Sequence, residues 1–306
     1  MQEKIKNIVE WLKKIEELNY PWSLEGYNVC RLGASGIFCK LATIYQNHAE
    51  FDKEKLKNTI ETFKSPKGYY VDIPGKLNTI AETRQAMSGL YNLGYEIESY
   101  DVSDFFQEPL FFMNDGSWAN PWNAGAQLSH YLFFSHFNNE PEKIQKVFNQ
   151  LERYQHHDGW YSHKPQNNVI INGIMKIFTG FDAIGYELDE GHLKGILDFV
   201  LNSHASSGGC NVYDYVYVLA KCMKINYRTE EAATELKKIY KEVFEYQHSD
   251  GGFSYDKNRT QTAYYGQPVT PGLPIGGIHG TGLFSMTLAL IDQALKLDLG
   301  LELPLS

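Results

Sequence analysis

The sequence lacks an apolar stretch long enough to span a membrane, and its first helical pattern is amphipathic instead of the continuous apolar run of a signal peptide. It also lacks a basic excess, because 28 Lys and Arg face 37 Asp and Glu, for a formal net charge of −9. Its four cysteines are few for a disulfide-stabilised secreted chain and indicate free thiols. We therefore expect a cytoplasmic protein without stable membrane insertion and without a nucleic-acid partner.

The chain also lacks a recognisable linker. No Pro/Ser-rich or charge-blocked segment interrupts its 306 residues. Hydrophobic residues make up 43% of the chain, which is enough material for one large core. We expect a single domain covering residues 1–306, while the oligomeric state stays open.

A polar turn recurs along the chain. The segment YQHHDGW at 154–160 returns as YQHSDGGF at 246–253. Looser copies extend the series to six marker glycines, spaced by about 45 residues as in helical repeat proteins: Gly26, Gly68, Gly116, Gly159, Gly208 and Gly251. The Asp-Gly pairs at 115–116, 158–159 and 250–251 are typical turn residues, in which Asp caps the turn and Gly supplies a positive φ. The pattern predicts a repeat protein and assigns these pairs no catalytic role.

Helical patterns come in pairs around these turns. Charged amphipathic patterns precede the turns, at 2–18, 53–64, near 101–108, 141–155, 189–203 and 230–247. Less charged, more apolar patterns follow them, at about 28–46, 79–94, 121–137, 168–185, 210–224 and 279–296. Six solvated outer helices alternating with six buried inner helices predict an all-α (α/α)6 toroid without a substantial β-sheet.

A closed ring would place the N-termini of the inner helices around one central cavity. Unpaired N–H groups and positive dipole ends gather at such termini, so first-turn side chains can meet a small-molecule substrate there. The longest connection, 254–278, leads into the last inner helix and is expected to cover the cavity mouth. We expect these residues to bind substrate: Glu82, Arg84, Trp122, Asn123, Asn172, Tyr213 and Tyr217.

Two segments carry a family likeness. Residues 82–95, ETRQAMSGLYNLGY, resemble an inner-helix segment of the prenyltransferase/terpene-cyclase superfamily, and the turn at 247–253 resembles its Q-x-x-D-G-G turns. The resemblance implies an α/α toroid acting on isoprenoids. In protein prenyltransferase β-subunits, Asp and Cys at one inner-helix start and His at a later one hold zinc, and Cys210, Asp214 and His279 follow a similar order. The Asp-x-Cys pattern of that family, the Asp-x-Asp-Asp motif of the cyclases and the thioester motif Gly-Cys-Gly-Glu-Gln are missing.

The same three residues are the candidate catalytic group. Cys210 and Asp214, four residues apart, share a helix face, and a helix N-terminus lowers the pKa of a thiol. His279 begins a later inner helix. The three side chains could hold zinc with a water as fourth ligand, or act without metal as nucleophile and general acid or base. The alternative is structural: a packed thiol, a capping carboxylate and a core histidine.

Three functions follow from these residues. The first is an enzyme that isomerises, eliminates or cyclises a small, largely apolar, isoprenoid-like substrate by acid–base chemistry. The second is a carbohydrate-active (α/α)6 enzyme, for which Glu82 and Asp214 would be the opposed carboxylates. The third is a non-catalytic binding ring. A site lined by Tyr and Trp favours a terpenoid, whereas convergent Asn, Arg and carboxylates favour a sugar.

Overall fold

The computed structural model describes residues 2–73, 79–97, 99, 101–106 and 110–305. These residues are mostly helical, which confirms the all-α class, and none of their helices is long and apolar enough to cross a bilayer. The helices described are α1 (Gln2–Glu17), α2 (Arg31–Ile44), α3 (Lys53–Glu61), α4 (Thr79–Asn92), α5 (Pro121–Phe137), α6 (Pro141–Leu151), α7 (Asn167–Ile184), α8 (Glu190–Leu201), α9 (Gly209–Cys222), α10 (Thr229–Glu242) and α11 (Ile278–Leu295). The strands described are β1 (Gln155–His156), β2 (Gly159–Trp160), β3 (Ala263–Tyr264) and β4 (Gln267–Pro268), which pair as two antiparallel hairpins.

The two predicted kinds of helix are present. In α2, eleven of 14 residues are buried, and in α11 thirteen of 18 are buried. In the charged helix α1, five of 16 residues are buried, and in α6 two of 11. Apolar composition therefore predicted burial correctly, because a helix that is apolar on most sides must be covered on most sides.

Two local predictions are wrong. The helix predicted near 101–108 is a turn over its described residues 101–106, and 107–108 lie outside the described residues. The Asp101 carboxylate accepts a hydrogen bond from the Ser103 amide (2.9 Å), a local bond that competes with helix formation. Gly116 does not supply a positive φ as predicted, because it lies inside a 3-10 helix, Asp115–Ala119.

Three of the marker turns are related in structure, although the turn at 155–160 is one residue shorter than those at 64–70 and 247–253. Each turn closes a short antiparallel pair between the end of a charged helix and the aromatic residue after the turn: Lys64 with Tyr70, Gln155 with Trp160, and Gln247 with Phe253. The positive φ predicted for the glycines of the Asp-Gly pairs is present at Gly159 and Gly251, and the marker glycines Gly26, Gly68 and Gly208 have it as well. The sequence repeat is therefore also a structural repeat.

The contacts divide the chain into two compact units. Unit 1 comprises 1–97, 207–213 and 235–305, and unit 2 comprises 98–206, 214–234 and residue 306. Helices α9 and α10 each contribute residues to both units. The single-domain organisation expected for 1–306 stays a prediction, and each unit is described by itself below.

Unit 1 joins the first repeat to the last. Trp11 of α1 is fully buried, and a Cβ on Gly252 or Gly276 would lie 2.6 Å or 2.9 Å from its indole atoms. The Ile278 amide donates to the Trp22 carbonyl (2.8 Å) at the entrance to α11. Glycine is needed at both turn positions because only its missing side chain admits the indole.

The β3–β4 hairpin of unit 1 is held by Tyr264. Its ring lies against α2 so closely that a Cβ on Gly33 would be 2.6 Å from it. The Tyr264 hydroxyl donates to Oε1 of Gln85 on α4 (3.1 Å), and Nε2 of Gln85 donates to the Gly33 carbonyl (2.8 Å). The ring also packs on Trp22, with centroids 5.0 Å apart. One tyrosine thus fixes the hairpin to two helices.

Unit 2 is centred on the close packing of α5 against α7. Small residues let the two backbones approach: a Cβ on Gly125 would lie 2.9 Å from the Gly173 carbonyl oxygen, and one on Gly180 would lie 3.0 Å from Cα of Ser129. The hydroxyls of Ser129 and Thr179 hydrogen-bond across the interface (2.9 Å). Larger side chains at these positions would separate the helices.

We expect the substitution Gly33→Ala to destabilise unit 1. The added methyl would overlap the Tyr264 ring, and overpacking of this kind costs about 1–3 kcal/mol, of which the higher helix propensity of alanine offsets about 1 kcal/mol. Urea unfolding should show a lower midpoint than in the wild type. The matched control is Gly116→Ala, because a Cβ there meets no atom within 4 Å. Equal midpoints for Gly33→Ala and Gly116→Ala would contradict the seating of Tyr264.

Candidate functional site

Six residues of unit 1 gather beside the β3–β4 hairpin, and we call them the hairpin site: Glu82, Arg84, Cys210, Tyr264, Tyr265 and His279. Three of the contributing segments are the first turns of α4, α9 and α11, as expected for first-turn residues of the apolar helices. The fourth is the hairpin itself, which comes from the long connection 254–278.

Glu82 is a buried carboxyl in the first turn of α4. The residue is 1% exposed. Oε2 accepts a long hydrogen bond from the Asp72 amide (3.4 Å), and no residue in the described part of the chain hydrogen-bonds to Oε1. Burial raises the pKa of Glu82 to about 7, which outweighs the lowering by the Asp72 amide. Glu82 can therefore hold or release a proton near neutral pH.

Tyr265 is an exposed aromatic residue at the tip of the hairpin. Its ring is 48% exposed and lies 4.6 Å from the Tyr264 ring, centroid to centroid. Yet burial raises the pKa of its phenol to about 12, with the Glu82 charge as the next cause. Both observations fit a side chain that water and a ligand can reach on one side and that protein atoms surround on the other. The Arg84 charge acts in the opposite direction, and the Cys210 thiol adds to the rise.

Tyr264 connects the hairpin to Glu82 and His279. Its phenol is buried, and burial raises its pKa well above the ordinary value, as do nearby Tyr265 and Glu82. Its ring meets the imidazole of His279 edge-on, with centroids 6.4 Å apart. Because its pKa is raised, the Tyr264 phenol is neutral at neutral pH and adds no charge beside Glu82.

His279 lies in the first turn of α11. Its Nδ1 is hydrogen-bonded to Oε1 of Gln261, and the Tyr255 ring faces it at 5.8 Å between centroids. The residue is partly exposed. The bond to Gln261 and the flanking rings fix the orientation of the imidazole.

Cys210 lies in the first turn of α9, as predicted. The Gly209 amide before it donates to the Tyr255 carbonyl (2.9 Å), and a Cβ on Gly209 would lie 2.9 Å from the Leu283 side chain of α11. The start of α9 therefore packs against the first turns of α11, which carries His279. Cys210 is partly exposed, whereas Cys30, Cys39 and Cys222 are buried, and none of these four described cysteines is in a disulfide.

Asp214, the third predicted catalytic residue, belongs to unit 2. It is 3% exposed, and burial raises its pKa to about 7, while the Lys176 charge lowers it. With its amide oriented to suit its neighbours, Asn172 of α7 donates from Nδ2 to Oδ2 of Asp214 (3.2 Å) and to the Asn168 carbonyl (2.8 Å). The structure thus pairs two of the predicted site residues, Asp214 and Asn172, in unit 2.

The other predicted binding residues have varied surroundings. Trp122 and Asn123 are exposed in the first turn of α5, with the Asn123 amide donating to the Asn120 side chain (3.3 Å). Tyr217 is buried, and its hydroxyl donates to Asp182. Tyr213 is buried in the α9 segment of unit 1. Their predicted substrate-binding role stays a prediction.

The sequence offered little to predict the contribution of the hairpin. Tyr264, Tyr265 and Gln261 lie in the long connection 254–278, and none of them belongs to a motif in the sequence. The one local signal is the pair Tyr265-Gly266 between two short extended segments, since a two-residue loop ending in glycine is typical of a hairpin. Both residues have positive φ, 45° and 80°, as that turn requires.

The described residues contain no group of three or more His, Cys, Asp and Glu side chains that could hold a metal ion. The zinc-binding alternative for Cys210, Asp214 and His279 stays a prediction. The hairpin site itself offers a carboxyl, a guanidinium, a thiol, an imidazole and two phenols. Comparison with models of known protein families and with curated protein sequences finds no match to this chain.

We expect Glu82 to make stability depend on pH. Its pKa rises from 4.5 to about 7 on folding, so its protonated form stabilises the native state below pH 4.5, and this stability is lost as the pH rises through 7. Relative to Glu82→Gln, the wild type should lose up to about 3 kcal/mol of unfolding free energy between pH 4.5 and pH 8. Urea titrations at several pH values measure the difference.

The matched control for this titration is Glu25→Gln, because Glu25 is an exposed carboxyl of the same unit. The unfolding free energy of Glu25→Gln should change with pH as that of the wild type does. A difference between the wild type and Glu82→Gln that is the same at pH 5 and pH 8 would contradict a proton held on Glu82.

Proposed function

We propose that the chain is an enzyme that moves a proton on a small, largely apolar substrate at the hairpin site. The observation that carries the proposal is the buried Glu82 carboxyl, whose Oε1 receives no hydrogen bond from the described residues and whose pKa is about 7. A general acid–base group works best when its pKa lies near the working pH. A structural carboxylate is instead kept ionised by bound donors.

The neighbours of Glu82 suit a largely apolar substrate. The exposed face of Tyr265 offers an aromatic surface, which can contact an apolar skeleton or stabilise a developing positive charge. His279 supplies a second proton-transfer group, and Cys210 a partly exposed thiol at a helix N-terminus. The reaction class that fits these groups is isomerisation, elimination or cyclisation by acid–base chemistry.

We further propose that the helices form an (α/α)6 toroid similar to those of the prenyltransferase/terpene-cyclase superfamily. In three repeats a polar turn closes a short antiparallel pair, and solvated helices alternate with buried ones along the chain. The packing of Trp11 on the glycines of the last repeat brings the two ends of the repeat series together, as a closed ring needs. Likeness of fold alone does not assign a reaction, so the proposed chemistry is drawn from the site.

A carbohydrate-active enzyme is the second candidate. It is favoured by one observation: Glu82 and Asp214 are both buried carboxyls with a pKa raised to about 7. Glycoside hydrolysis uses two such groups, one as acid and one as base or nucleophile. The two candidates differ in their dependence on Asp214, which glycoside hydrolysis requires and proton transfer at the hairpin site does not.

We expect turnover of an isoprenoid probe to depend on Glu82. The purified protein is incubated in D2O with C10 to C20 isoprenoid alcohols and epoxides, and mass spectrometry records isomerised or deuterium-labelled products. Glu82→Gln should lower the rate by about 10²- to 10⁴-fold, the usual contribution of a general acid or base. Glu25→Gln serves as the control and should keep the wild-type rate.

The same variants are tested on aryl glycosides to separate the two candidates. Turnover of a glycoside that is lost in both Glu82→Gln and Asp214→Asn would favour the carbohydrate-active enzyme. If no probe is turned over and none raises the melting temperature of the wild type, the protein is not an enzyme for either class.

A further inference from the structure

We propose that Gln261 is a positioning residue that fixes the tautomer of His279, with the proton on Nδ1 and the lone pair on Nε2. The tautomer follows from the hydrogen bonds of unit 1 alone. Its catalytic consequence rests on the function proposed above.

The orientation of the Gln261 amide is determined by the hairpin. Nε2 of Gln261 donates to the carbonyl of Ala263, the first residue of β3 (2.6 Å). The carbonyl can only accept, so the amide nitrogen must face it and the amide oxygen must face the other way. That oxygen, Oε1, is the atom at Nδ1 of His279.

An amide oxygen has no hydrogen to give. Nδ1 of His279 must therefore be the donor in this bond, and a neutral imidazole with its proton on Nδ1 keeps the lone pair on Nε2. A free neutral imidazole side chain prefers the opposite tautomer, with the proton on Nε2. Gln261 thus selects the form that is less populated without it.

Gln261 is itself held on both sides. The Thr270 hydroxyl donates to its carbonyl (2.7 Å), and the Val269 amide donates to the Thr262 carbonyl (2.9 Å) across the base of the hairpin. Thr270 is buried. The phenol rings of Tyr255 and Tyr264 flank the imidazole, with centroids 5.8 Å and 6.4 Å from it.

The tautomer gives the proposed reaction a balanced pair of proton transfers. Nε2 of His279 takes a proton from one position of the substrate, and protonated Glu82 gives one to another position. The substrate keeps its formula and becomes an isomer, while the pair passes from neutral to His⁺ and Glu⁻. Exchange of the two protons with water restores the starting state.

The tautomer is measured on the protein alone, with no substrate. The chain has ten histidines, so ¹⁵N-histidine-labelled protein is studied by long-range ¹H–¹⁵N correlation, and the signals missing in His279→Gln are assigned to His279. We expect a protonated Nδ1 and an unprotonated Nε2 at pH 8. A wild-type His279 that carries its proton on Nε2 overturns the inference without reference to any variant.

Two substitutions test the role of Gln261. In Gln261→Leu the acceptor is gone, and we expect signal to move toward the Nε2–H tautomer. In Gln261→Glu the acceptor is kept and a negative charge is added, so the Nδ1–H tautomer should persist and the pKa of His279 should rise by about 1 unit. Gln267→Glu, which adds the same charge to β4 of the hairpin, is the matched control. It should leave the tautomer and the pKa of His279 unchanged.

The outcomes separate the inference from the proposed function. If Gln261→Leu folds and keeps the wild-type tautomer, Gln261 does not set it and the inference fails. If the tautomer is as expected but no probe is turned over, the proposed function fails and the positioning of His279 stands. If Glu82→Gln loses turnover while His279 carries its proton on Nε2, the proposed function stands and the positioning of His279 by Gln261 fails.

Discussion

The seating of the Tyr264 ring on Gly33 is the contact on which the hairpin site depends. It fastens a hairpin from the longest connection to α2, and through Gln85 to α4. Because the same ring lies edge-on to His279 and close to Glu82, it sets the places of an imidazole and a carboxyl together. A packing contact thereby sets the surroundings of both side chains, since neither reaches its environment through its own helix alone.

Much of the helical framework could be predicted from periodicity and charge. Apolar segments such as α2 and α11 are buried, and the starts of α9 and α11 fall at Cys210 and His279 as expected. These features are local, because each helix carries its own pattern and each marker turn its own glycine. The prediction was wrong at 101–106, where one aspartate side chain bonds a nearby amide and no pattern of apolar residues outweighs it.

The environment of the site could not be predicted in the same way. Glu82 looked like a polar first-turn residue, and its raised pKa follows from burial by segments far away in sequence. The Tyr264 ring can pack on α2 because Gly33, more than two hundred positions earlier in the chain, has no side chain. Close contacts of this kind depend on the register of a two-residue turn and on backbone that is far away in the sequence. Neither can be predicted from a local sequence pattern. The distribution of Glu82 and Asp214 between two compact units is also a property of the fold.

The left-handed backbone of Tyr265 has a consequence for binding. A tyrosine at φ 45° is held in a conformation that non-glycine residues rarely adopt, and the hairpin pairing on both sides keeps it there. The backbone that carries its ring is therefore fixed, and the ring itself packs edge-on against the Tyr264 ring. Ordering a mobile side chain on binding costs about 0.5–1.5 kcal/mol, and a ligand that meets this ring is spared most of that loss. The free protein thus carries the backbone strain of Tyr265, and a ligand that contacts its ring causes a smaller loss of side-chain entropy on binding.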